Sequence, residues 1–264
     1  MNRKSTALLF CASAVPARAG LALCLFSFSL AVSRAADDTN APPKPHWDSV
    51  ASADLTLTRG NSRSFLGTFG INSSKKWPEN EVLLGGSAGY GETTAQPGNT
   101  TTKTADFLKG FAQYNHLFTE RLYAGLRVEG LHDDIADINY RLTVSPLAGY
   151  YFIKHTNTFL SGEAGPSYVY QDVGGDTQSY LAGRLAERFE YNFQTKAKIW
   201  ESVEWVTQFD KFENWFLNAE IGVSAPITKS LDARLIFQDT YNNQPAVGLL
   251  KNDLKLLAGF GYRF

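Results

Sequence analysis

The chain reads as an all-β protein: a transmembrane, antiparallel, up-and-down β-barrel of about 12 strands with both termini on the periplasmic side. Three observations predict it. Apolar and polar residues alternate with period two over segments of ten or more residues, which is long for strands of soluble proteins. The first residues have the make-up of an export signal. The polar parity carries ionisable groups on one segment after another, as expected where an apolar face meets lipid and a polar face meets the interior. With 264 residues, 44% of them hydrophobic, and 25 Lys plus Arg against 26 Asp plus Glu, the composition excludes a disordered tail and a collagen-like rod. A helical membrane bundle is excluded as well, since the longest near-apolar run, Leu21 to Val32, is shorter than the roughly 18 to 20 residues a spanning helix needs.

In chain order, Asn2-Arg3-Lys4 is a short basic start and the stretch to Val32 is dominated by Ala, Leu and Phe. Ser33-Arg34-Ala35 then puts small residues at the two positions an exporting peptidase reads. This predicts a signal peptide over 1–35, cleaved after Ala35, and a periplasmic linker over 36–46, where Ala41-Pro42-Pro43-Lys44-Pro45 opposes regular structure. A buried helix in its place would have to hold Pro16 and Gly20. Cleavage removes Arg3, Lys4, Arg18 and Arg34 and no acid, so 25 bases against 26 acids become 21 against 26. Cys11 and Cys24 leave too, which rules out a disulfide or thiol nucleophile in the exported product.

The alternation then divides 47–264 into strands near 47–58, 63–73, 81–92, 104–115, 121–132, 138–152, 158–171, 179–191, 196–208, 214–225, 230–241 and 249–264. The last is the clearest: Leu254, Leu256, Ala258, Phe260, Tyr262 and Phe264 share one parity, and Asp253, Lys255, Gly259, Gly261 and Arg263 the other. Turns form two alternating sets. One holds short Thr-bearing links such as Phe118-Thr119-Glu120-Arg121 and Ile227-Thr228-Lys229-Ser230 at hairpin spacing; the other is polar and variable, including Gln96-Pro97-Gly98-Asn99, Gly174-Gly175-Asp176 and Asn242-Asn243-Gln244-Pro245.

A soluble barrel would place the apolar face inside, and a membrane barrel inverts this. The polar parity carries Arg127, Glu129, Arg141, Glu163, Arg184, Arg188, Glu204, Glu220, Arg234 and Lys255. Acid and base nearly alternate around the ring, so these are the candidate interior charges, able to pair across strands or to line a pore. Trp47, Trp77, Tyr123, Tyr150, Tyr168, Trp215 and Tyr262 lie near strand ends and suit interfacial girdles. Glu187 and Glu201 fall on the apolar parity, which calls for a place below the apolar band near Asn192 or for a bulge. The ending Phe260, Tyr262, Phe264 is similar to the signal that the outer-membrane barrel assembly machinery recognises.

Trp47, the alternating run to Leu57, the turn Arg59-Gly60-Asn61-Ser62 and the strand leading to Trp77 resemble the opening of the salt-induced outer membrane proteins, domain of unknown function 481. Glu129, Arg141, Gly149-Tyr150, Glu163-Ala164-Gly165, Tyr168 and the Tyr-x-Phe end follow in the same order. The resemblance spans essentially the whole of 47–264 and implies the outer membrane of a diderm bacterium. It brings no catalytic motif.

The search for reactive sites is negative. His46, His116, His132 and His155 lie in the linker, in turns or at a loop edge, and no nucleophile-base arrangement can be built on them. His132 stands beside Asp133, Asp134 and Asp137, carboxylates that read as solvated rather than metal-binding. No metal, cofactor, catalytic residue or nucleic-acid partner is expected. The remaining readings are a small channel or diffusion pore with a mixed-charge lumen that passes small solutes or ions, a non-conducting barrel whose lumen is closed by paired Arg and Glu, and, remotely, an outer-membrane lipid enzyme.

Overall fold

A computed structural model describes residues 46–59, 62–95 and 100–264; the segments expected to be a signal peptide, 1–35, and, but for His46, a linker, 36–46, lie outside the described residues. Twelve strands follow one another: β1 (Trp47–Arg59), β2 (Ser62–Lys76), β3 (Asn80–Ala95), β4 (Thr101–Leu117), β5 (Leu122–Asp133), β6 (Ile138–Lys154), β7 (Thr158–Val173), β8 (Asp176–Asn192), β9 (Lys198–Gln208), β10 (Trp215–Pro226), β11 (Leu231–Asn242) and β12 (Asn252–Arg263). Each pairs antiparallel with its sequence neighbours, and β12 returns to β1, closing the barrel. Closure is how a sheet satisfies its backbone groups in lipid. The predicted strand windows agree with these bounds to within a few residues.

Which parity faces inward is fixed by side chains that meet from strands far apart in the sheet. The Tyr151 hydroxyl on β6 donates to Glu81 on β3 at 2.7 Å, Gln113 on β4 donates to Glu163 on β7 at 2.7 Å, and the Arg141 guanidinium on β6 lies 4.8 Å from the Phe216 ring on β10. Such contacts can only cross the interior. The other parity exposes Phe69, Leu108, Leu126, Leu181, Leu256 and Phe260. This is the inside-out pattern of a membrane barrel.

The interior is not wholly polar. Val169, Tyr180, Ala182, Val206 and Phe216 form one buried cluster, and Tyr123, Leu147 and Tyr151 form another with Leu117 and Phe159 against it. Tyr123 is therefore not part of a girdle: it is 2% exposed, and its hydroxyl donates to Glu163 at 3.0 Å. An aromatic near a strand end suits either role, and its parity decides. Ile138 also departs from the alternation. A register shift between Leu131 and Asp133 pairs it with Asp133 and buries it.

Local chemistry explains the turns. Thr119 Oγ1 accepts from the amides of Arg121 and Leu122, and Thr228 Oγ1 accepts in the same way from Ser230 and Leu231. Two turns at the end nearer the termini thus have one construction. At the opposite rim, Gly174 and Gly175 link β7 to β8 with φ of 63° and 78°, the left-handed pair that a two-residue hairpin requires.

Glu187 and Glu201 face outward. Glu187 pairs with Gly162 and Val203, and Glu201 with Phe189 and Ile221, in ladders that show no register shift. A bulge is therefore not the explanation. Both sit within the few residues before and after the Asn192–Lys198 link, in line with a place toward that edge of the apolar band.

Candidate functional site

All ten ionisable residues chosen from the alternation stand on the interior parity, but they do not form one cluster. A continuous chain of contacts runs round from β4 to β10. Lys109 pairs with Glu129 at 3.3 Å, Glu129 with Arg127 at 2.7 Å, and Arg127 donates to Gln113 at 3.3 Å. Gln113 donates to Glu163, and Arg184 then joins Glu163 at 2.9 Å to Glu204 at 2.6 Å. Asn218 donates to Glu204 at 3.4 Å. Three bases and three acids balance within this chain, the arrangement that makes buried charge tolerable.

The other interior charges fall into separate groups. Arg234 meets Asp54 at 3.3 Å across Gly259, which leaves room between them for both side chains. Glu220 is held by neutral donors, Trp200 Nε1 at 2.6 Å and Gln238 at 2.8 Å. Arg188 pairs with Glu190, which also takes Lys198 at 2.6 Å. Lys255 pairs with Asp253 at 2.9 Å. Lys76 pairs with Glu81 at 2.8 Å, and Glu81 also accepts from Asn115 and Tyr151. The sequence reading missed Asp54, Glu81, Lys109, Glu190 and Lys198. Each shares the polar parity of its strand, so the signal was present.

Large interior rings are laid against the wall by glycines directly opposite them. Phe111 covers Gly85, Phe107 covers Gly89, Tyr123 covers Gly149 and Trp200 covers Gly222; a Cβ built on these glycines would stand 2.1 to 2.3 Å from ring atoms. Three of the rings carry a cation on their inner side, Arg127 at 3.9 Å from Phe111, Lys255 at 4.8 Å from Phe107 and Arg234 at 5.7 Å from Trp200. Glycine thus sets where the ring lies, and the ring helps set where the charge lies.

A cavity of about 10 Å³, bounded by Arg127, Glu129, Thr143, Ser145, Arg184, Glu204, Val206 and Phe216, has room for about one water. Arg184 is 5% exposed, Ile236 2% and Leu257 3%, although the last two face inward from β11 and β12. On the outer face, Leu122, Tyr150, Phe152, Leu185, Glu187, Val203 and Trp205 line a concavity of about 530 Å³ floored by Ala148, Gly162 and Ala164. At the loop rim, His132 and Lys103 both reach Asp134, and Asp133 caps the amides of Ile135 and Ala136. No group of three metal-type donors assembles among the described residues.

Comparison with solved structures gives barrels of the same kind. The NanC porin, 8% identical, matches with 82% of this chain and 100% of that chain covered at a TM-score of 0.52. The translocator domain of the autotransporter NalP from Neisseria meningitidis is 14% identical, with coverages of 86% and 90% and a TM-score of 0.47. The KdgM porin is 9% identical, with coverages of 82% and 99% and a TM-score of 0.44. At such identities the likeness is one of fold, and the NanC porin carries it: a porin-like, outer-membrane-type barrel. No curated protein matches the chain in sequence. One family does, over residues 51–264 and so over nearly all of the barrel, and the chain belongs to it: the family described as Protein of unknown function, DUF481.

Proposed function

We propose that the protein is a non-enzymatic barrel of the outer membrane of a diderm bacterium, exported by its first 35 residues, with both termini in the periplasm and an interior kept closed by paired charges. The observation that carries this reading is the burial of Arg184 between Glu163 and Glu204. An arginine lining a water-filled bore would be hydrated, whereas this one is enclosed by carboxylates and by Val206 and Phe216 at its cavity. Ile236 on β11 and Leu257 on β12 support the same view, because apolar groups facing a wet lumen would be exposed. A small channel for ions or solutes, the other reading the charges allow, needs water along that wall. The partners in this account are outer-membrane lipid and the assembly machinery that reads Phe260, Tyr262 and Phe264.

The test is conductance. Full-length protein, produced in a diderm bacterium and purified from its outer membrane, is reconstituted in planar bilayers. The expected result is silence from a heat-modifiable, β-rich sample. Discrete steps in most insertion events, with an ion preference that moves on Glu163→Gln or Arg184→Gln, would replace this reading with that of a channel.

A further inference from the structure

The barrel closes unevenly. Each other neighbouring pair is joined over at least ten positions, whereas β1 and β12 pair over six, 50–55 with 258–263. Neither strand ends there. Residues 56–59 of β1 continue in register with β2, and residues 252–257 of β12 continue with β11, but the two stretches form no ladder with each other. Between them, Thr56 Oγ1 donates to the Leu256 carbonyl at 2.6 Å, a side chain standing where a backbone amide would be. The outward residues on both lips, Leu57 on one and Leu254 and Leu256 on the other, are exposed and apolar. The split therefore lies in the apolar band, where an unpaired sheet edge is costly.

Its inner side is charged. Lys255 faces inward from the split itself, over the Phe107 ring, and its ion-pair partner, Asp253, is an exposed carboxylate that an incoming anion can displace; Arg234, paired with Asp54, stands one strand away. Asp54, on β1 just below the split, has a side chain 5% exposed, and its Oδ1 faces Arg234 Nε at 3.3 Å in an ion pair too poorly aligned to give either atom a hydrogen bond. Apolar lips outside and cations inside match a molecule with a hydrocarbon tail and an anionic head.

We propose that the β1–β12 seam, on the side away from the termini, is a lateral opening that admits a long-chain anionic amphiphile. Its tail lies in the bilayer between Leu57 and Leu256, and its carboxylate or phosphate head reaches Lys255 and Arg234. The opening lies beside the interior and needs no axial pore, so it stands whether or not the lumen conducts.

The described chain holds no cysteine, so engineered pairs report without background. Continuing the ladder would pair Leu57 with Leu256; Ala53 and Phe260 are an observed pair on the same outward parity. In outer-membrane preparations treated with copper phenanthroline, Ala53→Cys with Phe260→Cys should cross-link promptly, and Leu57→Cys with Leu256→Cys roughly tenfold more slowly, because no ladder holds the second pair of thiols in the facing geometry a disulfide needs. Equal rates would overturn the proposal. In the purified full-length protein, cis-parinaric acid should gain fluorescence on binding, with affinity falling roughly tenfold in Lys255→Gln, the weight of one charge-assisted contact. It should fall likewise once the Leu57→Cys/Leu256→Cys pair is driven to full cross-linking. Displacement by oleate alone identifies a carboxylate ligand, by dodecyl phosphate alone a phosphate, and by both a site for either anion. Binding unchanged in Lys255→Gln, or equal displacement by oleyl alcohol, would overturn the proposal.

Discussion

Arg184 donates through Nε to Glu204 at 2.6 Å while its Nη1 reaches Glu163 at 2.9 Å, so one guanidinium on β8 holds carboxylates on both neighbouring strands. Removing it leaves two enclosed acids without their base. Arg184→Ala should cost about 3–5 kcal/mol, the range for breaking a buried ion pair, read as a lower urea midpoint in detergent. Arg184→Lys should fall between, because a single ammonium cannot match the two-sided geometry. A change below about 1 kcal/mol, the range of exposed pairs, would show that the network is solvated.

The glycines under the interior rings make a second prediction. Gly222→Ala brings a Cβ to 2.1 Å from Trp200, and Gly85→Ala one to 2.2 Å from Phe111. The ring must leave the wall, taking with it the Trp200 Nε1 bond to Glu220 in one case and the Arg127 platform in the other. Each should destabilise by about 1–3 kcal/mol, the range for overpacking. Gly130→Ala, with nothing within 4 Å of the added atom, should be near neutral under the same unfolding assay.

How much of this was legible follows from what alternation encodes. Period two gives each side chain a face, so the twelve strands and the inward stance of Arg127, Glu163, Arg184 and Glu204 could be read directly from parity. It does not say which residues meet across the interior. Gln113 and Glu163 lie on β4 and β7, and Glu81 and Tyr151 on β3 and β6; their meeting depends on barrel radius and stagger, which no local pattern carries. The split seam is invisible for a related reason, since Leu55 and Leu57 alternate with Thr56 as regularly beyond the last pair as within it.

Glu187 and Glu201 supply a third prediction. They are diagonal neighbours on the outer face, and Glu187 lies in the concavity with Trp205 and Leu185. No ion pair holds either among the described residues. A carboxylate on a lipid-facing position costs less than the roughly 2–4 kcal/mol of a midplane cation and less still toward an interface. Glu187→Leu should therefore raise stability in bilayers by about 1 kcal/mol, and Glu201→Leu, nearer its turn, by less. Unfolding in vesicles of matched thickness checks this. A loss of stability in Glu187→Leu would mean that the carboxylate has a partner in the membrane.

The last strand carries a fourth. Phe264 donates its amide to the Ser49 carbonyl at 3.0 Å, extending the short β1–β12 ladder by one bond, and its ring stacks on Tyr262 at 6.3 Å. Truncating the ring in Phe264→Ala keeps that bond, whereas deleting Phe264 removes it. If the terminal aromatic serves recognition by the assembly machinery, Phe264→Ala should lower the amount of folded barrel in the outer membrane several-fold and leave refolding from urea into detergent unchanged. If it serves closure, the deletion should slow refolding in detergent while Phe264→Ala does not. Heat-modifiable mobility of the membrane fraction and of the refolded sample, measured side by side, separates the two. A seam of only six pairs makes the closure effect measurable, because one bond is then a large share of what joins the first strand to the last.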